Sequence, residues 1–124
     1  MKTEYKLAIG FIIIIALVIG YAVYESQQPG QYDELAQCIN DSGATFYGAF
    51  WCPHCQSQRA MFGKSEALLP YVECSTPDRQ SQLPVCNEAG VQTYPTWEFA
   101  GGERLEGVQQ IETLAAQAGC ALPQ

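Results

Sequence analysis

The residues best suited to chemistry in this sequence are four in a row, Cys52, Pro53, His54 and Cys55. Pro53 is tolerated in the first turn of a helix and follows an apolar segment, so the motif is predicted at a strand-to-helix junction. Unpaired N–H groups and the helix dipole at that point favour a thiolate at Cys52. Cys52 is predicted to be the exposed attacking sulfur, and Cys55, buried one turn later, resolves the mixed disulfide. His54 further stabilises the thiolate, which makes the disulfide a stronger oxidant.

Two other uses of this cysteine spacing find little support. A structural zinc site usually has a second C-x-x-C pair, whereas Cys74 and Cys86 are twelve residues apart and His54 is the only histidine. Attachment of c-type haem requires C-x-x-C-H, but Gln56 follows the motif. We therefore predict a redox-active dithiol that uses neither a metal nor a cofactor.

The N-terminal part of the chain is predicted to cross a membrane. Residues 7–24 form an apolar run without a charge, about long enough for a membrane-spanning helix. Lys2 and Lys6 precede the run and Glu25 follows it, which places the N-terminus in the cytoplasm and the rest of the chain outside. The alternative, a cleaved signal peptide, is disfavoured by the length of the run and by the lack of an A-x-A site.

Composition and turn-forming residues divide the chain into three parts. Residues 1–24 are the anchor, the polar residues 25–31 are a tether, and residues 32–124 are one small domain. Six cysteines in so short a chain indicate disulfides in an oxidising compartment, in agreement with an extracytoplasmic domain of the cell membrane. After the apolar run come 12 acidic and four basic residues, a balance that argues against nucleic acid as a partner.

The hydrophobic patterns predict an α/β domain with a mixed central sheet flanked by helices. Apolar side chains of the strands, Phe46, Tyr47, Phe50 and Phe99, are predicted to fill its core. Predicted elements, in order, are a helix (32–40), a strand (44–51), a helix (53–62), a strand (71–74), a helix (85–89), a hairpin (96–99 and 104–106) and a helix (109–118).

Two segments, Tyr47–Cys55 (YGAFWCPHC) and Tyr94–Trp97 (YPTW), resemble the thioredoxin-like domain that is fused to or partnered with bacterial homologues of vitamin K epoxide reductase. The resemblance extends over about residues 32–120 and implies a thioredoxin-like fold. It also implies that Trp-Cys-Pro-His-Cys is the active site and that Pro95 is a cis-proline beside it. Substrate backbone then docks at Tyr94 and Pro95, and Trp51 either borders this groove or is part of the core. Trp97 has the same two interpretations.

One departure from ordinary thioredoxins lies six residues before the first active-site cysteine. They have a buried Asp there that assists proton transfer, whereas this chain has Phe46. Cys55 is therefore expected to lack a nearby base, which favours an oxidising or relay role over efficient reduction.

The four remaining cysteines are predicted to form disulfides. In the resembled family an additional pair at the position of Cys74 and Cys86 is a disulfide, and here it is expected to be a structural staple rather than a second redox pair. Cys38 and Cys120 are then paired by elimination, joining the two ends of the domain. Spacing alone leaves three pairings of these four cysteines open.

These observations lead to one leading hypothesis and two alternatives. The leading hypothesis is a membrane-anchored dithiol oxidase or electron relay in oxidative protein folding. Its substrates are exported proteins with cysteines, and the resemblance implies a quinone-linked membrane oxidase, a vitamin K epoxide reductase homologue, as its partner. The first alternative is a reductase or isomerase fed by a membrane dithiol donor. The second is a non-catalytic module, stapled by disulfides, whose Tyr94–Trp97 surface binds peptides.

Overall fold

The computed structural model describes residues 1–124 and contains helices and strands in the predicted order. Its helices are α1 (Lys2–Ser26), α2 (Asp33–Asp41), α3 (Pro53–Ala60), a 3-10 helix (Gly63–Leu68), α4 (Pro84–Glu88) and α5 (Ile111–Ala118). Its strands are β1 (Thr45–Gly48), β2 (Tyr71–Glu73), β3 (Thr96–Glu98) and β4 (Arg104–Glu106).

The four strands form one mixed sheet in the order β2-β1-β3-β4. β1 pairs in parallel with β2, so that Gly48 lies opposite Glu73, and antiparallel with β3, so that Phe46 lies opposite Trp97. β3 and β4 form the predicted hairpin. The parallel pair needs a crossover connection, which α3 and the 3-10 helix supply. The predicted fold class, a mixed sheet flanked by helices, is confirmed.

The hydrophobic core lies between this sheet and helices α2 and α5. The rings of Phe46 and Trp97 stack with centroids 4.5 Å apart, and neither side chain is exposed to solvent. Leu35, Ile39 and Leu114 pack into the same cluster from the helices. Each such side chain contributes about 1.5–3 kcal/mol when fully buried. Phe46 and Trp97 thereby connect β1 to β3.

The predicted strand at 44–51 is too long, because β1 ends at Gly48. After Gly48 the chain turns, and the N–H of Phe50 donates to the side-chain carboxylate of Glu73 on β2 instead of to a backbone carbonyl. Phe50 consequently has 39% of its surface exposed, so its predicted core role is wrong. Phe46, Tyr47 and Phe99 are buried as predicted.

The 3-10 helix was not predicted as an element. α3 ends at Ala60, and the positive φ (54°) of Gly63 lets the chain turn before the 3-10 helix continues to Leu68. Ser65 in this segment is buried and accepts a hydrogen bond from the Tyr32 N–H at 3.0 Å. The segment therefore fastens the start of the folded domain to the end of α3.

Helix α1 is long and apolar enough to cross a membrane, and none of its residues is buried against the domain. It is compatible with a single-pass membrane anchor. The helix continues to Ser26, two residues beyond the predicted anchor, and the Lys64 ammonium donates to the Glu25 carbonyl at 2.6 Å. A cation at this helix end complements its dipole.

Four of the six cysteines form two disulfides, and Cys52 and Cys55 are free thiols. One bond joins Cys74 to Cys86 across 12 residues, and the other joins Cys38 to Cys120 across 82 residues. Both expected pairings are thus present. The longer bond joins α2 to the residue after the Gly119 cap of α5, and so closes nearly the whole domain into one loop.

We predict that the double variant Cys38→Ala, Cys120→Ala loses about 2–5 kcal/mol of unfolding free energy, because the unfolded chain is no longer restricted by the long loop. Urea unfolding of the full chain in detergent micelles measures the change through tryptophan fluorescence, since both tryptophans lie outside α1. A loss below about 1 kcal/mol would contradict the stabilising role assigned to this bond.

Candidate active site

Cys52 lies immediately before the first turn of α3. The residue has an extended backbone (φ −76°, ψ 120°), and its carbonyl accepts the Gln56 N–H at 3.1 Å as the helix begins. Pro53 occupies the first turn, where its missing N–H has no cost. Cys52 therefore lies at the start of a helix, as the sequence predicted. That the unpaired N–H groups of a helix N-terminus favour its thiolate stays a prediction.

Both thiols are buried, which corrects the prediction of an exposed Cys52. Cys52 retains 6% and Cys55 1% of its surface, and Ala49 completes their cluster. Tyr94 packs over this cluster, which explains the low exposure. Cys52 is still the more accessible of the two sulfurs.

The Tyr94–Pro95 peptide bond is cis and lies beside Cys52. The Cys52 thiol donates to the Tyr94 carbonyl with an S–O distance of 3.8 Å. The Trp51 ring makes an edge-to-face contact with Tyr94, with centroids 6.2 Å apart, and its N–H donates to the Ser75 hydroxyl at 2.8 Å. The structure therefore brings Trp51, Tyr94 and Pro95 together next to the first cysteine.

The two tryptophans have different surroundings. Trp51 is 38% exposed and borders the surface beside Cys52, whereas Trp97 is completely buried in the core. Pro95 and Thr96 are also buried, so Tyr94 alone is accessible in the segment expected to form a peptide-binding surface. A continuous Tyr94–Trp97 surface does not exist, because three of its four side chains point into the domain.

His54 does not contact the dithiol through a hydrogen bond. Its side chain is exposed on the first turn of α3 and makes no hydrogen bond to either sulfur. Any effect of His54 on the thiolate therefore acts through space and solvent.

Glu73, which the sequence analysis did not single out, acts on Cys55. Burial raises the pKa of Cys55 to about 12, a backbone hydrogen bond at Ala49 opposes this rise, and Cys52 and the Glu73 charge add to it. Phe46 occupies the position of the missing carboxylate, and the carboxylate whose charge acts on Cys55 is instead that of Glu73, on the neighbouring strand. One feature of the sequence could have identified Glu73. It is a carboxyl residue that directly precedes Cys74, at the end of a strand parallel to β1.

Gln58 is a second residue that the sequence analysis missed. It lies one turn after Cys55 and is completely buried. Its amide oxygen accepts the N–H groups of Trp97 (3.3 Å) and Gln109 (2.7 Å), and its amide nitrogen donates to the Gln109 carbonyl (3.0 Å). These bonds hold α3 against β3 and the segment before α5. A polar residue on the buried face of α3, three positions from Cys55, was the signal that marks it.

No group of three His, Cys, Asp or Glu side chains lies close enough together to hold a metal ion. Chemically, the arrangement offers two adjacent buried thiols, Cys52 at a helix start beside the Tyr94 carbonyl and Cys55 with the Glu73 charge acting on it.

Comparison with known proteins agrees with this chemistry. No protein-family model matches the chain. The chain is similar to Thiol-disulfide oxidoreductase LTO1 of Arabidopsis thaliana, with 40% identity over 95 residues, which are 73% of this chain and 25% of that protein. The chain thus spans about a quarter of the length of this relative. The similarity supports a thioredoxin-like redox domain.

We predict that Gln58→Ala lowers the unfolding free energy by about 2–4 kcal/mol, since it opens a cavity and leaves the buried N–H of Trp97 and the partly buried N–H of Gln109 without an acceptor. The matched control is Ser57→Ala, an exposed neighbour on the same helix, which should change stability by less than about 0.5 kcal/mol. Urea unfolding followed by tryptophan fluorescence compares the two. Equal stabilities would contradict the linking role of Gln58.

Proposed function

We propose that this chain exchanges disulfides with other proteins through Cys52 and Cys55. Its similarity to about a quarter of the length of a thiol-disulfide oxidoreductase supports this proposal. One observation carries the proposal. The two free cysteines are neighbours at the start of α3, beside the Tyr94 carbonyl, whereas the other four are paired elsewhere. A structural framework has no need for an unpaired dithiol in this position.

Each cysteine has a distinct role in the proposed reaction. A substrate thiolate attacks the Cys52 sulfur of the oxidised centre, and the electron pair of the Cys52–Cys55 bond leaves on Cys55. A second substrate thiol then loses its proton to solvent and attacks the substrate sulfur as a thiolate, which releases a substrate disulfide and the Cys52 thiolate. Two electrons have passed from the substrate to the dithiol. Trp51 and Tyr94 border Cys52 and are the proposed docking residues, whereas Pro95, which the sequence also predicted for this role, is buried.

We propose oxidation of substrates as the physiological direction. The start of α3 favours the Cys52 thiolate, and a stabilised reduced form makes the disulfide a stronger oxidant. Reduction or isomerisation would use the same residues and differs only in the reduction potential. The peptide-binding alternative loses support, because Pro95, Thr96 and Trp97 are buried.

The proposed location is the outer side of the cell membrane, with α1 across the bilayer and the domain outside. Lys2 and Lys6 at the start of α1 support a cytoplasmic N-terminus, and the two disulfides fit an oxidising compartment. An oxidase must be reoxidised, and a quinone-linked membrane oxidase of the vitamin K epoxide reductase type is the proposed partner. The anchor would raise the effective concentration of the dithiol at that partner.

Redox titration of the full chain in detergent micelles tests the proposal. Equilibration in glutathione buffers, with alkylation and mass mapping of each cysteine, should show that Cys52 and Cys55 titrate together while the other four remain paired. A potential of about −120 to −180 mV is expected for an oxidase, whereas a value near about −270 mV would instead assign a reductase. The absence of titration at Cys52 and Cys55 would contradict thiol-disulfide exchange altogether.

Replacing each of the two cysteines should have a different effect on disulfide exchange. We predict that Cys52→Ala abolishes exchange, because no accessible thiol remains, and that Cys55→Ala accumulates mixed disulfides at Cys52, because nothing resolves them. Non-reducing mass analysis after incubation with oxidised glutathione detects these adducts. If the two variants behaved alike, the division of roles would be wrong.

A further inference from the structure

A carboxylate on β2 is held next to the redox pair by three hydrogen bonds. One oxygen of Glu73 accepts the backbone N–H groups of Phe50 and Ser75, both at 3.1 Å. The other oxygen accepts the Tyr71 hydroxyl at 2.5 Å. Glu73 takes part in none of the three ion pairs of the structure. Three hydrogen-bond donors and no ion pair therefore fix the position of this carboxylate.

The position of this carboxylate relative to Cys55 follows from the sheet. Gly48 lies opposite Glu73 in the parallel pair of β1 and β2. A methyl group placed on Gly48 would lie 2.9 Å from the ring edge of Tyr71 and 3.0 Å from the sulfur of Cys55. The Tyr71 ring and the Cys55 sulfur therefore meet over Gly48, and the Tyr71 hydroxyl ties that ring to Glu73.

Burial and the Glu73 charge together raise the pKa of both neighbours of this carboxylate, Cys55 and Tyr71. Burial is the main reason why the pKa of Cys55 is raised, and the Glu73 charge acts in the same direction. The pKa of Tyr71 is also raised, by burial first and then by its hydrogen bond to Glu73, so the phenol remains a donor. Other titratable or charged groups near these residues include Cys52, Tyr94 and Arg59. The Arg59 guanidinium lies 5.0 Å from the Tyr71 ring centroid, opposes the rise in the Tyr71 pKa, and pairs with Glu66 at 3.4 Å.

We propose that Glu73 keeps Cys55 protonated after the disulfide has opened and thereby delays the return attack of Cys55 on the mixed disulfide. This inference rests on the proposed function. Glu73 touches neither substrate nor reacting sulfur, so it is a positioning residue that acts through its charge on Cys55.

The reaction affected is the partition of the mixed disulfide. When the substrate thiolate bonds to the Cys52 sulfur, the Cys52–Cys55 bond breaks, its electron pair stays on Cys55, and the Cys55 thiolate takes a proton from solvent. For the return attack, Cys55 must lose that proton, bond to Cys52 and expel the substrate as a thiolate. A protonated Cys55 leaves the mixed disulfide time to react with the second substrate thiol, and that reaction completes oxidation.

The variant Glu73→Gln isolates the charge. Its amide oxygen can still accept from Phe50 and Ser75, and its amide nitrogen can donate to the Tyr71 oxygen, so the hydrogen-bonded frame is retained. Glu103→Gln is the matched control, because it makes the same change in net charge at an exposed position in the β3–β4 turn. Glu73→Asp retains the charge, and Tyr71→Phe removes the hydroxyl but leaves the carboxylate.

The return attack can be timed with Ellman's disulfide. The full chain in detergent micelles is first reduced at Cys52 and Cys55 alone, with mass analysis to verify that the other two disulfides are intact. Cys52 then releases one thionitrobenzoate and forms a mixed disulfide, and Cys55 releases the second by attacking Cys52. Stopped-flow absorbance follows both releases between about pH 6 and pH 9, where the rate of the second rises about tenfold per pH unit while thiolate is scarce.

We expect Glu73→Gln to accelerate the second release by about three- to tenfold at a given pH, because Cys55 loses the nearby negative charge. The first release should change by less than about twofold, which shows that Cys52 and α3 are intact. Glu103→Gln, Glu73→Asp and Tyr71→Phe should all retain the slow second release.

Other outcomes would contradict either the role of Glu73 or the proposed function. A second release in Glu73→Gln that matches the wild type at every pH would overturn the role of Glu73 while leaving the exchange reaction in place. Acceleration in Tyr71→Phe as large as in Glu73→Gln would also overturn it, since the hydrogen bond rather than the charge would then be responsible. A wild-type chain with only one release, or a Cys55→Ala variant with two, would instead contradict the proposed function.

Discussion

The stacked contact between Phe46 and Trp97 determines the geometry of the redox centre. These two rings, completely buried and 4.5 Å apart, join β1 to β3 in antiparallel register. Cys52 follows Phe46 by six residues and Pro95 precedes Trp97 by two, so the same contact brings the redox motif and the Tyr94–Pro95 bond to one end of the sheet. A register shift of one residue would turn one of the two rings out of the core and break their contact.

Because the domain is small, a disulfide and side-chain hydrogen bonds add to the stability that its core provides. A domain of roughly 95 residues buries a limited apolar area, and its stability is correspondingly modest. The Cys38–Cys120 bond ties α2 to the residue after α5. The buried amide of Gln58 ties α3 to β3, and the hydrogen bond between Tyr32 and Ser65 ties the start of the domain to the 3-10 helix.

Cys52 and Cys55 differ in chemistry because they face different parts of this frame. Cys52 lies immediately before the first turn of α3, and its thiol donates to the Tyr94 carbonyl. Cys55 is enclosed, and burial together with the Glu73 charge disfavours its thiolate. A thioredoxin-like redox centre can therefore lack a carboxylate at the position of Phe46 and still have one that acts on the buried thiol from the neighbouring strand.

The sequence by itself determined those features that depend on residues close together in the chain. These include the spacing of Cys52 and Cys55, the proline that opens α3, the apolar run of α1, and the hairpin of β3 and β4, and periodicity and turn residues sufficed to predict them. Only the tertiary structure decided where β1 ends, that Cys52 is largely buried, that Trp97 belongs to the core, and that Glu73 acts on Cys55. The reason is physical: Glu73 lies 25 positions from Gly48 in the chain and becomes its neighbour only when β1 and β2 pair. Local patterns report contacts along a helix or strand, whereas burial and charge at this site arise from residues that sheet pairing brings together.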